Sequence, residues 1–269
     1  ASYATSDYDE LLKDNDVDLI FITTRHNLHG NMVLQALKAG KNVFVEKPLA
    51  LNEKELLEIK EFYQNNNIAP VLLTGFNRRF SPAIQKAKDI LNNRTTPLII
   101  NYRMNAGYIP MDVWVHGEEG GGRNIGEACH IYDLFNYLTD STVESVHASS
   151  INPTGKQWAK NDNFVATIRY YDGSVCTLTY TAMGHKSKPK EMMDIYADGK
   201  VISMNDFFSL TTYGGKGKNL ESKIMQKGLL EELDFLADCL LTGSEWPISI
   251  EQQVQATEIS FEVERQINN

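Results

Sequence analysis

The sequence predicts an α/β fold in which a short parallel sheet is followed by an α+β domain with a large, mostly antiparallel open sheet. Strand-like and helix-like periods alternate over residues 1–74, and the strands there are continuously apolar. Such strands are typical of parallel sheets that helices cover on both faces. From residue 75 onward most strands alternate apolar and polar side chains, which is typical of antiparallel sheets with one solvated face. We therefore expect two domains, 1–74 and 75–269, with a boundary near Gly75.

Each element of the first domain has a local signal. Asn52 and Glu55 form a capping-box-like pair ahead of one helix, and Gly40 marks the C-terminal end of another. Apolar runs of strand length alternate with these helices. The predicted order is a helix at 6–13, strands at 18–23, 42–45 and 70–74, and one helix in each gap between strands.

The second domain has helices at its ends and strands between them. Asp172-Gly173 and Asp198-Gly199 are strong hairpin turns between neighbouring strands. The predicted strands are 98–104, 143–151, 164–171, 174–181, 192–197, 200–204 and 209–213. The predicted helices are 81–91, 126–138, 229–241 and 251–267.

The composition excludes several classes of function. The chain has 269 residues and a net charge of −9, which argues against sequence-independent nucleic-acid binding because that needs clustered Lys and Arg. No apolar run approaches the ~20 residues that span a bilayer, so we expect no membrane partner. Three well-separated cysteines argue against a disulfide framework and favour a reducing, cytoplasmic location.

Polar side chains follow two of the buried strands. Thr23-Thr24-Arg25-His26-Asn27-Leu28-His29 comes after the first strand, and Glu46-Lys47-Pro48 comes after the second. In parallel α/β sheets, ligands bind outside the carboxyl ends of the strands. An ionisable pair such as Glu46 and Lys47 at this position is either solvated in a cleft or paired with a ligand. The residues by themselves leave open the alternative that both segments are ordinary loops.

Taken together, these segments resemble the glucose–fructose oxidoreductase / inositol dehydrogenase family (Gfo/Idh/MocA). Four segments match in order and spacing across nearly the whole chain: 16–29, 36–48, 75–82, and the stretch from Gly120-Gly121-Gly122 through His130 to Asp133. The resemblance implies an N-terminal Rossmann domain that binds NAD or NADP. It also implies a C-terminal domain whose open sheet supports substrate binding and homo-oligomer contacts. The implied substrate is a sugar, cyclitol or sugar nucleotide that is oxidised at a hydroxyl.

The resemblance implies catalytic roles for Lys47 and His130. Oxidising a carbinol needs a base that takes the hydroxyl proton while hydride leaves, and its pKa should lie near the working pH. We expect His130 in the first turn of its helix, where the helix dipole keeps the imidazole neutral. The three glycines before it would approach a ligand closely. Lys47 would bind the substrate hydroxyl where alkoxide charge develops. The alternative for His130 is a capping or core histidine.

One position departs from the family pattern. Many members place an Asp four residues before the catalytic His, and that residue is Gly126 here. The adjacent Glu127 points about 100° further round the helix. Glu127 is therefore a third catalytic candidate, unless His130 works with Lys47 alone.

Further candidates lie on segments that we expect to face the cleft. The cofactor wall would comprise Thr23, Arg25, His26, His29, Glu46, Lys47 and Pro48. The substrate would contact Asn77, Arg79, Tyr102, Asn105, Trp114 and Asp133. His29 fits a plain helix-start role equally well. We predict no metal site, because a zinc ion would need four histidines from separated segments and no Cys has zinc-binding spacing.

No GxGxxG turn occurs in the sequence. A complete dinucleotide-binding fold has two βαβαβ halves, and the first half carries that turn. The three predicted parallel strands correspond to the second half, so we expect a partial Rossmann-like sheet in an N-terminally truncated chain with impaired cofactor binding. The choice between NAD and NADP stays open. The alternative function is a cofactor-free ligand-binding or assembly module on the same fold.

Overall fold

The computed structural model describes residues 3–66, 69–215, 219–244 and 246–268. The helices are α1 Tyr8–Lys13, α2 His29–Lys38, α3 Glu53–Asn65, α4 Pro82–Leu91, α5 Cys129–Thr139, α6 Leu229–Thr242 and α7 Ile250–Asn268. The strands are β1 Leu19–Ile22, β2 Asn42–Val45, β3 Leu72–Thr74, β4 Ile99–Asn105, β5 Val143–Ser150, β6 Asn163–Tyr170, β7 Val175–Thr181, β8 Glu191–Ala197, β9 Lys200–Asn205, β10 Ser209–Tyr213 and β11 Leu220–Glu221. No helix within the described ranges combines the length and apolar character needed to cross a membrane.

The first three strands form a parallel sheet in the order β1–β2–β3. Ile22 pairs with Val45, and Val45 pairs with Thr74. Apolar side chains of α2 and α3, among them Val33 and Leu56, pack with the strands in one buried cluster. The carboxyl ends of all three strands therefore lie at one edge, which brings the polar segments that follow β1 and β2 together.

The C-terminal helix α7 also packs on this parallel sheet. The Gln253 side chain accepts a hydrogen bond from the backbone N–H of Thr74 at 2.8 Å and donates to the carbonyl of Leu72 at 2.9 Å. Val254 lies in the same apolar cluster as the strands. The last helix thus holds β3 in place, and the domain boundary near Gly75 stays a prediction.

Eight strands form the second sheet, in the order β11-β10-β9-β8-β4-β7-β6-β5. Neighbouring strands are antiparallel except for β4 and β7, which run parallel. This arrangement confirms the large, mostly antiparallel sheet, although the sequence did not predict β11. Gly173 and Gly199 have φ values of 86° and 71°, as the two predicted hairpin turns require. Helices α4, α5 and α7 share the apolar core of this sheet.

Arg78, in the turn that follows β3, joins the two sheets through a buried ion pair. It donates to Glu191 of β8 through Nε at 2.7 Å and Nη2 at 3.1 Å. Glu191 also accepts from the Tyr102 hydroxyl and the Lys227 ammonium, both at 2.6 Å. Burial alone would raise the pKa of Glu191, but Arg78 and then Lys227 lower that pKa to about 2. Because breaking a buried pair leaves an uncompensated charge at a cost of about 3–5 kcal/mol, this cluster anchors the turn.

Candidate active site

Lys47 connects the carboxyl edge of the parallel sheet to the start of α5. It lies two residues beyond the end of β2, and its Nζ donates a hydrogen bond to the carbonyl of Gly126 at 2.7 Å. Gly126 lies in a π-helical turn, Asn124–Ala128, that continues into α5 without a break. A π-helical turn interrupts the regular i→i+4 bonding of the helix, and here a carbonyl of the turn accepts from a side chain of the other sheet.

The ring of His26 fills the space beside Gly126. Its Nδ1 lies 2.8 Å from the carbonyl oxygen of Gly120, and its edge packs on Trp114 at 4.8 Å between ring centroids. A Cβ atom placed on Gly126 would come within 2.8 Å of His26 Cε1. The absence of a side chain at residue 126, where the family pattern has an Asp, therefore has a packing reason in this chain.

His130 is the second residue of α5, and its ring is nearly buried. The ring meets Phe76 edge-on at 6.1 Å between centroids. Its Nδ1 is sealed from solvent and has no hydrogen-bond partner among the described residues. Burial, followed by the charges of Arg78 and Lys47 and then of Lys227 and Lys190, holds the pKa of His130 well below its usual value. The imidazole is therefore neutral at physiological pH and can accept a proton.

The expected cause of this neutrality was wrong. The π-helical turn extends the helix on the N-terminal side of His130, so His130 does not occupy the first helical turn. The helix dipole acts mainly within the first and last turns. Burial and nearby cations keep the ring neutral instead.

Glu127 is held by three donors. The Lys190 ammonium donates to one carboxylate oxygen at 2.7 Å, while Arg123, at 2.9 Å, and the Tyr180 hydroxyl donate to the other. Burial alone would raise the pKa of Glu127, but Lys190, Tyr180 and Arg123 together hold it well below its usual range. Such a carboxylate stays ionised and is a weak base, which argues against proton transfer by Glu127.

Three of the predicted substrate residues do not face an open cleft. Nε and Nη2 of Arg79 donate to the two carboxyl oxygens of Asp133 at 3.0 and 2.5 Å, and both side chains are buried. Tyr102 is buried against Glu191. The prediction of cleft-facing side chains was wrong for these residues, because buried partners from distant segments already satisfy their polar atoms.

The other predicted substrate residues differ in burial: Asn77 and Trp114 are half-buried, whereas Asn105 is buried. Asn77 is half-buried and donates to the Lys227 carbonyl at 2.9 Å. Asn105 lines a cavity of about 410 Å³ but donates its amide to the carbonyls of His185 and Lys188. Trp114 lies beneath the Arg25 guanidinium, 5.1 Å from the ring centroid, and beside His26.

The predicted cofactor wall separates into exposed and structural members. Thr23 and Arg25 are exposed, although Arg25 is ion-paired with Glu119. Glu46 and Lys47 are half-buried. His29 is fully buried, with Nδ1 2.8 Å from the Pro48 carbonyl and Nε2 3.1 Å from the Thr24 carbonyl. His29 therefore ties the two polar segments together, and neither of its ring nitrogens is free for a ligand.

The three glycines before α5 approach other protein atoms closely. A Cβ on Gly120 would come within 2.4 Å of Val115 Cα. One on Gly121 would come within 2.6 Å of Leu51, and one on Gly122 within 2.1 Å of Asn161. In this chain the glycines therefore permit close approach between parts of the protein, and their approach to a ligand stays a prediction. These contacts pack the segment 120–122 closely against Val115, Leu51 and Asn161.

Glu232 is a residue of this region that the sequence analysis missed. It lies in the first turn of α6, is fully buried, and neither carboxyl oxygen has a hydrogen-bond partner among the described residues. Burial, reinforced by Glu46 and Asp133 and opposed by Arg79, raises the pKa of Glu232 to about 9. Because acidic residues in a first helical turn are ordinarily favourable surface features, no local signal distinguished this one.

Among the described residues, no group of three or more His, Cys, Asp or Glu side chains is arranged to hold a metal ion. The converging groups are instead one ammonium, Lys47, and two neutral imidazoles, His26 and His130. These groups can donate a hydrogen bond to a substrate oxygen and accept hydroxyl protons. The arrangement is suited to acid–base chemistry on a hydroxyl group.

Two models of one family match successive parts of the chain. The first, described as an oxidoreductase family with an NAD-binding Rossmann fold, matches residues 1–71. The second, the GFO/IDH/MocA C-terminal domain, matches residues 85–202. The chain therefore belongs to the Gfo/Idh/MocA oxidoreductase family, as its four sequence segments predicted.

Individual relatives agree with this assignment. The chain is 30% identical over 171 residues to scyllo-inositol 2-dehydrogenase (NAD(+)) of Bacillus subtilis, covering 61% of this chain and 48% of the relative. It is 26% identical over 255 residues to trans-1,2-dihydrobenzene-1,2-diol dehydrogenase of Xenopus tropicalis, covering 89% and 74%. The chain spans about half the length of the inositol dehydrogenases it matches.

Solved structures share the fold. Levoglucosan dehydrogenase in complex with NADH and levoglucosan superposes with a TM-score of 0.81 at 19% identity, covering 98% of this chain and 81% of the other. The likeness at this identity concerns the fold alone. It matches the parallel sheet followed by the large open sheet that the sequence predicted.

We predict that Gly126→Ala destabilises the protein by about 1–3 kcal/mol, because the new methyl group overpacks against the confined ring of His26. In a His26→Ala background the same change should cost nothing or stabilise, since Ala is favoured over Gly in helices. Urea unfolding of the four proteins measures this coupling. Gly155→Ala is the control, because its Cβ would meet nothing closer than 4.0 Å. Equal costs of Gly126→Ala in both backgrounds would contradict the contact.

We predict that Glu232 makes the protein less stable as the pH rises. The folded-state pKa of about 9 exceeds the ordinary value of 4.5, so between these values the folded protein retains a proton that the unfolded chain loses. The free energy of unfolding should therefore fall by about 1.4 kcal/mol per pH unit across that window. Glu232→Gln should remove this slope, whereas Glu144→Gln, at an exposed site, should not. Parallel profiles for wild type and Glu232→Gln in pH-dependent urea unfolding would refute the buried neutral acid.

Proposed function

We propose that the protein is an NAD(P)-dependent oxidoreductase that acts on a hydroxyl of a sugar, cyclitol or sugar nucleotide. The observation that carries the proposal is the convergence of Lys47 and His130 on the turn around Gly126, at the carboxyl edge of the parallel sheet. Ligands of parallel α/β sheets bind at that edge. Family membership supports the same class of reaction.

The residues present fit an alcohol oxidation. His130 is neutral, and its Nε2 is neither hydrogen-bonded to a described residue nor sealed from solvent, so this nitrogen can accept the hydroxyl proton. The Lys47 ammonium can move from the Gly126 carbonyl to the substrate oxygen and stabilise the negative charge that develops there. A bound nicotinamide would supply the hydride acceptor. The cations around His130 also stabilise an anionic transition state.

The cofactor would lie against the exposed and half-buried residues of the wall. Thr23, Arg25, Glu46 and Lys47 remain candidates for this contact, whereas His29 and Pro48 support the wall from within. Because the sequence contains no GxGxxG turn, which normally holds the pyrophosphate, we expect this chain alone to bind NADH or NADPH weakly.

The substrate class is supported by the names of the relatives. These names refer to scyllo-inositol, myo-inositol and a cyclic trans-diol, and one related fold binds levoglucosan. All are small ring compounds that carry hydroxyl groups. A small-molecule substrate of this type is consistent with a site formed by one ammonium and two neutral imidazoles.

Homo-oligomerisation through the large sheet and a cytoplasmic location remain predictions. The first is supported by apolar side chains on the face of the sheet away from the helices. Ile99 and Tyr196, which pair across β4 and β8, are 55% and 39% exposed, and Val165 of β6 is 44% exposed. Exposed apolar patches of this kind often mark protein contacts.

Titration with NADH, followed by nicotinamide fluorescence, separates the enzyme from the cofactor-free module. We expect weak but saturable binding, and we expect Lys47→Met to weaken it about tenfold or more through the loss of a charged hydrogen bond. Lys54→Met is the matched control, since the Lys54 side chain is 85% exposed. A complete absence of saturable binding would favour the module.

We further predict that His130→Ala lowers turnover of an oxidised sugar or cyclitol by about 10²–10⁴-fold, the usual contribution of a general base. Steady-state formation of NADH measures this loss. The control is His147→Ala, at an exposed position of β5. Turnover near that of the wild type would remove His130 from the mechanism.

A further inference from the structure

We infer that Nε2 of His26 is a second hydrogen-bond acceptor of the site and binds the hydroxyl next to the one that is oxidised. The inference rests on the proposed function and makes it narrower, because it requires a substrate with two neighbouring hydroxyl groups. It assigns His26 to substrate recognition, in place of the cofactor contact that the sequence suggested.

The tautomer of His26 follows from its hydrogen bond. Nδ1 lies 2.8 Å from the Gly120 carbonyl oxygen. A carbonyl only accepts, so Nδ1 must carry the proton, and Nε2 of the neutral ring keeps its lone pair. Nε2 has no hydrogen-bond partner in the described part of the chain and is not sealed from solvent. The ring therefore presents an acceptor, and Trp114 holds its orientation.

The position of His26 places this acceptor beside the catalytic candidates. Its Cε1 lies 2.8 Å from the point where a Gly126 Cβ would be, and the carbonyl of the same Gly126 accepts from Lys47. His130 follows Gly126 by four residues along a continuous helical segment, which is about one turn. Lys47 also lowers the pKa of both imidazoles. One donor and two acceptors thus lie around the helical turn at Gly126.

His26 is suited to accepting a hydrogen bond from a substrate hydroxyl. Burial, followed by the nearby Lys47 and His29, lowers its pKa to about 4 even though the Gly120 carbonyl raises it. The ring consequently stays neutral at physiological pH and accepts a hydrogen bond without becoming charged. His130 and His26 can then each accept from one hydroxyl of a vicinal pair while Lys47 donates to an oxygen of that pair. A polyol ring offers this pattern, whereas a lone alcohol leaves His26 without a donor.

The alternative is that His26 only fills the space beside Gly126. The two roles differ in their dependence on the substrate. A packing residue affects all substrates equally, whereas a hydrogen-bond acceptor affects only substrates that carry its donor. Removing the ligand donor and removing the protein acceptor should therefore not have additive effects.

The test uses myo-inositol, scyllo-inositol and levoglucosan as probes, each with an analogue that lacks the hydroxyl next to the oxidised carbon. His26→Phe keeps an aromatic ring against Trp114 but removes the acceptor. For whichever polyol the wild type oxidises, we expect His26→Phe to lower kcat/KM about 10- to 100-fold and to leave the deoxy analogue within about twofold. His147→Ala, at an exposed site, is the control. An equal loss on both substrates would overturn the inference.

A second measurement does not depend on turnover. Long-range ¹H–¹⁵N spectra of the imidazoles should show His26 as the neutral Nδ1–H tautomer at neutral pH, with an Nε2 signal that shifts when myo-inositol is added. The His147 signal should not respond. A charged ring, the opposite tautomer or an unresponsive Nε2 would overturn the role of His26, even if the protein oxidises polyols. If it oxidises none while Nε2 still responds, the proposed reaction fails but polyol binding by His26 stands.

Discussion

The hydrogen bond from Lys47 to the carbonyl of Gly126 joins the two halves of the candidate site. Lys47 has a fixed position because β2 is the central strand of a buried parallel sheet and ends immediately before Glu46. Gly126 is fixed because its π-helical turn continues into α5, of which every residue except Tyr137 is buried. This hydrogen bond therefore connects the carboxyl edge of the parallel sheet directly to the helical segment that carries His130.

Around this contact, glycines allow neighbouring segments to pack more closely than residues with side chains would. His26 occupies the space that a side chain at residue 126 would need, and Gly120, Gly121 and Gly122 let the backbone of 120–122 approach Val115, Leu51 and Asn161. Arg25 and Trp114 complete the interface with the β1–α2 turn. The glycine-rich segment thus packs against other parts of the protein, and the Gly120 carbonyl orients the ring of His26. Contacts with a ligand are then left to a few side chains.

Buried charges stabilise the fold and also set the electrostatics of the site. Glu191 holds Arg78 and Lys227, and Glu127 holds Arg123 and Lys190. Each carboxylate therefore holds two cations, and three of those four cations act on His130 and keep it neutral. Glu232 shows the converse case, because a buried carboxyl without donors retains its proton. The same burial thus produces a strongly held anion in one place and a neutral acid in another.

The sequence by itself determined the fold class, most element boundaries and the candidates Lys47 and His130. These features depend on local signals, namely apolar runs, caps, turn glycines and the polar residues that follow buried strands. Only the tertiary structure decided that Arg79 pairs with Asp133, that Tyr102 contacts Glu191 and that Glu232 is buried, because each depends on residues 54 to 186 positions apart. It also decided the orientation of His26, since the contacts with Gly120 and Gly126 come from a distant turn. Local sequence encodes elements, whereas burial and pairing arise only when distant elements pack together.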